Sequence, residues 1–178
     1  MFRWRAGWRW WLICLSRLGV LAVVLAGMAV AGKSIPARDQ FARFSGLPSA
    51  WGAIAMTIAV VVINGFGEET GWRGYALPGL QLRFGPVTAT LILAVGWAAW
   101  PTPQFFLLDT YKGFSPPMVP VFFVGLACGA IVLTWLYNHA ASILAVTVWH
   151  GLYNVTGGTA AATSGSGSSL PRCGPSPF

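Results

Sequence analysis

Residues 68–74, Glu-Glu-Thr-Gly-Trp-Arg-Gly, follow directly on an uncharged run, residues 44–67, that is long enough to enter a bilayer. The whole chain has only four acidic residues, and two of them stand here. An ionisable residue at membrane depth is costly, and it usually faces a partner or a wet cavity. This stretch is therefore the first candidate for a functional site.

Helical geometry gives the two carboxylates different surroundings. In a helix, Glu69 and Arg73 stand four residues apart and can form an ion pair along one face. Glu68 is turned about 100° away and stays available for other chemistry. A carboxylate pair with one member neutralised by arginine can keep the other as a general base. The alternative is a charge cluster that caps a transmembrane helix at the interface.

The composition places the chain among membrane proteins. It is 56% hydrophobic and 8% charged, whereas soluble proteins carry about 25% charged residues. The net charge of +7 comes largely from arginines beside apolar runs, a pattern typical of lipid headgroup contact and not of nucleic-acid binding. The chain has three cysteines, an odd number, and they lie far apart at Cys14, Cys128 and Cys173. They therefore support neither a zinc ribbon nor a disulfide framework.

The remaining apolar runs predict an all-α, polytopic transmembrane bundle of about five spanning helices. The runs cover residues 18–32, 44–67, 85–108, 113–138 and 140–155. Pro101 and Pro103 are expected to stop the third run near Trp100. Residues 74–84, which contain Pro78 and Gly79, are expected to form a short helix or a re-entrant turn. The sequence shows no internal repeat, so it gives no support to the interpretation as a transporter.

Three regions follow from this division. Residues 1–46 hold a basic, tryptophan-rich tail, a first hydrophobic segment and a loop. The segment ends in Ala-Val-Ala at 29–31, which fits a cleaved signal peptide, although an anchor or first spanning helix is favoured. Residues 47–156 form the predicted membrane core. Residues 157–178 are rich in Gly, Ser and Pro and are expected to be disordered.

A second polar pair lies in the last apolar run. His150 and Asn154 are four residues apart and share a helix face. An imidazole and a carboxamide can donate hydrogen bonds to a developing oxyanion, although such a pair by itself is more often a contact between helices. Because it accompanies the carboxylates, we expect Glu68, Glu69, His150 and Asn154 to converge on one cavity between helices.

Together these motifs resemble the CPBP intramembrane protease family, which includes the CAAX prenyl endopeptidases and the bacterial Abi-type bacteriocin-immunity proteins. The resemblance covers about residues 50–156 and rests on Glu68-Glu69-x-x-x-Arg73-Gly-Tyr, Trp97-x-x-Trp100, Thr134-Trp-Leu-Tyr-Asn138 and His150-x-x-x-Asn154. It implies an endopeptidase that acts on a peptide or protein at the membrane. The same resemblance implies an integral protein of the bacterial plasma membrane. No nucleic-acid partner is expected, on the charge pattern described above. Substrate, orientation and oligomeric state do not follow from it.

The resemblance also implies a role for each site residue. Glu68 would activate water as general base, and Glu69 with Arg73 would hold the geometry of the motif. His150 and Asn154 would stabilise the tetrahedral oxyanion. The family is commonly labelled a metalloprotease, against a competing metal-free mechanism. This chain has no HExxH motif and only two histidines, so zinc is possible only through that label and no cofactor is firmly implied.

One position departs from the family pattern. The family places a histidine directly after the second tryptophan of Trp-x-x-Trp, where this chain has Pro101, while Trp97, Trp100 and Pro103 match. Proline has no titratable group, and losing one member of a catalytic unit costs orders of magnitude in rate. The alternative to an active protease is therefore a catalytically inactive binding or immunity protein that keeps the family fold.

Overall fold

The computed structural model describes residues 7–44, 47–107 and 116–158, and within these ranges the chain forms helices and no strand. Five helices of 14 residues or more make the bundle: α1 Trp8–Val30, α2 Ser49–Gln81, α3 Pro86–Ala99, α4 Met118–Ala140 and α5 Ile143–Gly158. Short helical turns at Arg38–Ala42 and Gln104–Leu107 connect them. The prediction of an all-α membrane bundle is confirmed.

Three of these helices are long and apolar enough to cross a membrane: α1, α2 and, from Val119, α4. The other two, α3 with 14 residues and α5 with 16, extend about 21 and 24 Å at a rise of 1.5 Å per residue. Both fall short of the roughly 30 Å of a hydrocarbon core. The chain is an integral membrane protein in which two shorter helices pack among three long ones.

The helix α2 is not uniformly wound. Two π-helical turns, Val61–Phe66 and Trp72–Ala76, flank the α-helical turn Gly67–Gly71 that carries Glu68 and Glu69. A π turn is rare, admits an extra residue into the helix and changes the direction of the side chains beyond it. The orientation of the two carboxylates is therefore set between two irregular turns.

Residues 74–84, expected to form a short helix or a re-entrant turn, contain the α-helical segment Leu77–Gln81, which is continuous with the rest of α2. Pro78 is the second residue of the α-helical segment Leu77–Gln81, and only Leu77 separates it from the second π turn. A proline lacks the N–H of an i→i−4 hydrogen bond, and a π turn has already altered that bonding pattern. The predicted stop near Trp100 is present, since α3 ends at Ala99.

Two predicted segments cannot be compared with the structure in full. The polar loop at Asp109 and Lys112 and the tail from residue 159 onward lie outside the described residues. Gly157 and Gly158, which were assigned to the tail, are the last residues of α5.

The helices α2 and α5 cross at two glycines. A Cβ on Gly65 would overlap the backbone oxygen of Thr147, and a Cβ on Gly151 would lie 2.6 Å from Cα of Val61. Small residues at a crossing let two backbones approach closely. This contact brings the first π turn of α2 against the middle of α5, one residue from His150.

We expect Gly65→Ala to destabilise the protein by about 1–3 kcal/mol, because its methyl group would separate the two helices. The matched control is Gly67→Ala, two residues further along the same helix, where a Cβ meets nothing within 4 Å. The measurement is thermal unfolding of both variants in the same detergent. Equal unfolding temperatures for the two variants would contradict the close crossing.

Candidate active site

Glu69 is a fully buried carboxylate that joins two helices. It is 0% exposed, and its Oε1 accepts a hydrogen bond of 2.8 Å from Nη1 of Arg73, which is also 0% exposed. The same oxygen lies 2.7 Å from Nδ1 of His150 on α5. Buried charges are tolerated when they are paired and hydrogen-bonded. The predicted i,i+4 pair is present, and it extends to α5.

The contact with Glu69 bears on the tautomer of His150. A carboxylate that carries a charge can only accept a hydrogen bond, so next to a charged Glu69 the proton of the 2.7 Å contact lies on Nδ1. The other ring nitrogen, Nε2, then accepts when the ring is neutral and donates when the ring is protonated. His150 is 2% exposed, so its ring is held firmly by its surroundings.

Glu68 differs from its neighbour in burial and in its partner. Its side chain is partly exposed, and its Oε2 accepts a hydrogen bond of 2.9 Å from Nε1 of Trp97 on α3. The indole is a neutral donor, so Glu68 has no cationic hydrogen-bond partner among the described residues. Of the two carboxylates, Glu68 is therefore the one that water can reach.

Trp97 contacts three members of the site. Besides its bond to Glu68, its ring meets the ring of His150 edge to face, with centroids 5.3 Å apart at 87°. The guanidinium carbon of Arg73 lies 4.7 Å from the centroid of the indole. Gly129 on α4 gives the indole room, since a Cβ there would stand 3.2 Å from it. The sequence identified Trp97 only as part of a motif, and its contacts were not expected.

Asn154 lies one turn beyond His150 on α5 and is half-buried. Within the described ranges its carboxamide makes no hydrogen bond to Glu68, Glu69 or His150. Trp97 thus contacts Glu68, Arg73 and His150, and Glu69 joins the group through Arg73 and His150. Asn154 is placed by the helix alone.

Pro101 is buried in the turn that follows α3. Its carbonyl oxygen accepts a hydrogen bond of 2.9 Å from the backbone N–H of Gln104. The proline side chain has no atom that can bind a proton or a water molecule. The C-terminal turn of α3 therefore contributes the buried Trp97 to the site, and position 101 contributes no titratable group.

The donor set does not fit a zinc ion. Among the described residues no group of three or more His, Cys, Asp and Glu side chains has metal-holding geometry. Oε1 of Glu69 already faces two N–H donors, from Arg73 and His150, and a cation placed there would meet a guanidinium. Zinc sites in proteins take three or four Cys, His, Asp or Glu ligands, and the described residues bring no such set together.

Comparison with known proteins points to the same family as the motifs. The family model described as Type II CAAX prenyl endopeptidase Rce1-like matches residues 50–156. CAAX prenyl protease 2 of Methanococcus maripaludis is 31% identical over 100 residues, which cover 49% of this chain and 34% of that protein. The chain thus spans about a third of the length of this relative. No solved structure matches the chain.

We expect Glu69→Gln to destabilise the protein by about 3–5 kcal/mol, because it leaves the buried guanidinium of Arg73 without its counter-charge. The matched change is Glu68→Gln at the neighbouring position, where an amide oxygen can still accept from Trp97 and water can reach the side chain. Thermal unfolding in detergent compares the two variants. A Glu68→Gln variant as unstable as Glu69→Gln would contradict the difference in burial between them.

Proposed function

Because the chain belongs to the Rce1-like family of type II CAAX prenyl endopeptidases, we propose that it is a membrane-embedded endopeptidase in which Glu68 activates the hydrolytic water. The observation that carries this proposal is the difference in burial and hydrogen bonding between the two carboxylates. Glu69 is fully buried and its Oε1 is bonded twice, whereas Glu68 is partly exposed and bonded once, to a neutral donor. A general base must reach both water and the reacting group.

The reaction assigned to Glu68 is direct hydrolysis. Glu68 accepts a proton as the water oxygen bonds to the carbonyl carbon of the peptide. The protonated carboxyl then returns that proton to the amine nitrogen as the C–N bond breaks. Trp97 holds Oε2 of Glu68 through its indole N–H, which leaves Oε1 to face the water. Positioning of this kind lowers the entropic part of the barrier.

His150 and Asn154 are proposed to act on the developing oxyanion. With Nδ1–H directed at Glu69, the ring can donate to an oxyanion only from Nε2, and only as the imidazolium. The carboxamide of Asn154, one turn away on the same helix, supplies a second donor without a change of protonation. Because packing holds the ring of His150 in place, the fold determines the direction in which Nε2 points.

The proposal routes no step through a metal, because the donor set around Glu69 does not fit one. The substrate class is a peptide or protein that reaches the site at the membrane, and the location is the bacterial plasma membrane. The name of the relative, CAAX prenyl protease 2, refers to prenylated CAAX proteins. We assign no prenyl specificity to this chain, since the match covers only 34% of that relative.

Pro101 favours a second candidate function. A family fold with one catalytic group replaced by a buried proline can bind a peptide or a membrane partner without cleaving it. Such a protein would belong with the immunity-type members that the sequence resembles. The two candidates share every contact around Glu69 and differ only in turnover.

The first test is peptidase activity of the purified, detergent-solubilised protein on a peptide library. We expect cleavage by the parent and a loss of about 10²–10⁴-fold in Glu68→Ala, the usual contribution of a positioned general base. We expect Pro101→His to raise the rate above that of the parent, because it restores a group that can bind water. Initial rates from mass spectrometry of the products give the comparison.

Three results would change this account. Cleavage that persists in Glu68→Ala would contradict the role of Glu68. No cleavage by the parent together with cleavage by Pro101→His would support the second candidate, a protein that keeps the fold of the protease but does not turn over peptides. Activity that EDTA abolishes and zinc restores would contradict the metal-free mechanism. Unfolding temperatures of all samples serve as the control for folding.

We expect Trp97→Phe to lower kcat by about tenfold to a hundredfold, because it removes one hydrogen bond to a charged group while it keeps an aromatic ring. The matched control is Trp100→Phe, which changes the exposed tryptophan at the end of the same helical segment. Steady-state kinetics with the best peptide gives both values. Equal rates in the two variants would show that the indole N–H has no part in the reaction.

A further inference from the structure

Arg17 is a cation in the middle of the apolar helix α1, and its contacts lie on α5. Its guanidinium carbon lies 4.3 Å from the ring centroid of Tyr153 and 5.0 Å from that of Trp149. The two rings stack on each other with centroids 5.6 Å apart at 16°. This arrangement places one cation against two aromatic faces of a neighbouring helix.

The surroundings of Arg17 explain why it stays there. The side chain is half-buried, and no carboxylate pairs with it among the described residues. A cation within a membrane-spanning helix is costly without a partner. Aromatic faces attract a guanidinium, and more strongly when water is excluded. The contacts with Trp149 and Tyr153 therefore keep Arg17 packed on α5.

A second contact fixes α1 on the same face of α5. Cys14 is 0% exposed, and its thiol donates a hydrogen bond of 3.1 Å to the backbone oxygen of Ala145. Residues three apart lie on one side of a helix, so Cys14 and Arg17 hold α5 at two successive heights. Both residues precede the region that the family model matches, residues 50–156.

Rotation of α5 links Arg17 to the candidate active site. Trp149 and Tyr153 directly precede His150 and Asn154, and successive residues are separated by about 100° around a helix. Any turn of α5 that moved the two rings would move His150 through the same angle. The 2.7 Å contact between His150 and Glu69 would not survive such a turn.

We propose that Arg17 is a positioning residue that clamps Trp149 and Tyr153 and so holds His150 turned toward Glu69. On its other side, α5 is held by the glycine crossing with α2, where Gly151 leaves no room for a Cβ beside Val61. The helix that bears His150 is thus fixed between α2 and α1. The catalytic consequence rests on the proposed function, whereas the orientation of His150 does not.

The orientation can be measured without any substrate. The chain has two histidines, so protein labelled with ¹⁵N-histidine gives two side-chain signal sets in detergent micelles, and His139→Gln assigns them. We expect Arg17→Met to shift or broaden the signals of His150 and to leave those of His139 in place. Arg17→Lys, which keeps the cation, should stay close to the parent.

The matched control is Arg9→Met, which removes an exposed arginine from the same helix that contacts only Trp8 among the described rings. It should leave the signals of His150 unchanged. A lower unfolding temperature in Arg17→Met with unchanged signals of His150 would overturn the proposal, because Arg17 would then serve stability alone. Should Arg17→Met fail to fold, Tyr153→Leu removes the nearer ring and must produce the same shift, or the proposal fails.

Steady-state kinetics then distinguishes a failure of the positioning role of Arg17 from a failure of the proposed function. If the parent cleaves peptides, Arg17→Met should lower kcat at least tenfold with KM within twofold, and Arg17→Lys should recover most of the loss. A parent without activity contradicts the proposed function, while the signals of His150 still decide the role of Arg17. Full activity in Arg17→Met together with unchanged signals would overturn the positioning role.

Discussion

The structure depends on one buried oxygen atom, Oε1 of Glu69, which Arg73 and His150 share. Taking a carboxylate and a guanidinium out of water is costly, and removing one partner costs about 3–5 kcal/mol. The pair is therefore a constraint on geometry: α2 and α5 must meet at the height where the carboxylate, the guanidinium and the imidazole coincide. The glycine crossing at Gly65 and Gly151 makes that meeting sterically possible.

The same constraint leaves the neighbouring carboxylate, Glu68, outside the buried ion pair. With Glu69 directed into the interface, Glu68 points toward α3, where the indole of Trp97 meets it. Trp97 in turn touches Arg73 and the ring of His150, so one aromatic side chain connects the buried pair to the partly exposed carboxylate. A buried network whose members support one another specifies a single arrangement. The chemistry proposed for Glu68 therefore depends on Glu69, Arg73 and Trp97, to which the proposal assigns positioning and no contact with the substrate.

Local pattern predicted part of this arrangement. The i,i+4 spacing of Glu69 and Arg73 fixes their pairing on any helix, and long uncharged runs fix the all-α membrane fold. Other features depend on tertiary contacts that spacing does not encode. The continuation of α2 through Pro78 comes after a π turn, and the contacts of Trp97 and Arg17 require helices far apart in sequence to pack side by side. The role of Asn154 stays a prediction, because its position on α5 is known while its partner is not among the described contacts.

The central claim is that a peptide binds with its scissile bond beside Glu68, on the side of α2 that faces α3 and α5. The most direct measurement is an experimental structure of Glu68→Gln with an uncleaved peptide bound. The account predicts the scissile carbonyl within hydrogen-bond reach of Nε2 of His150, and a water between the carbonyl carbon and residue 68. A peptide seated on the lipid-facing side of α2, or one whose carbonyl lies away from both residues, would contradict it.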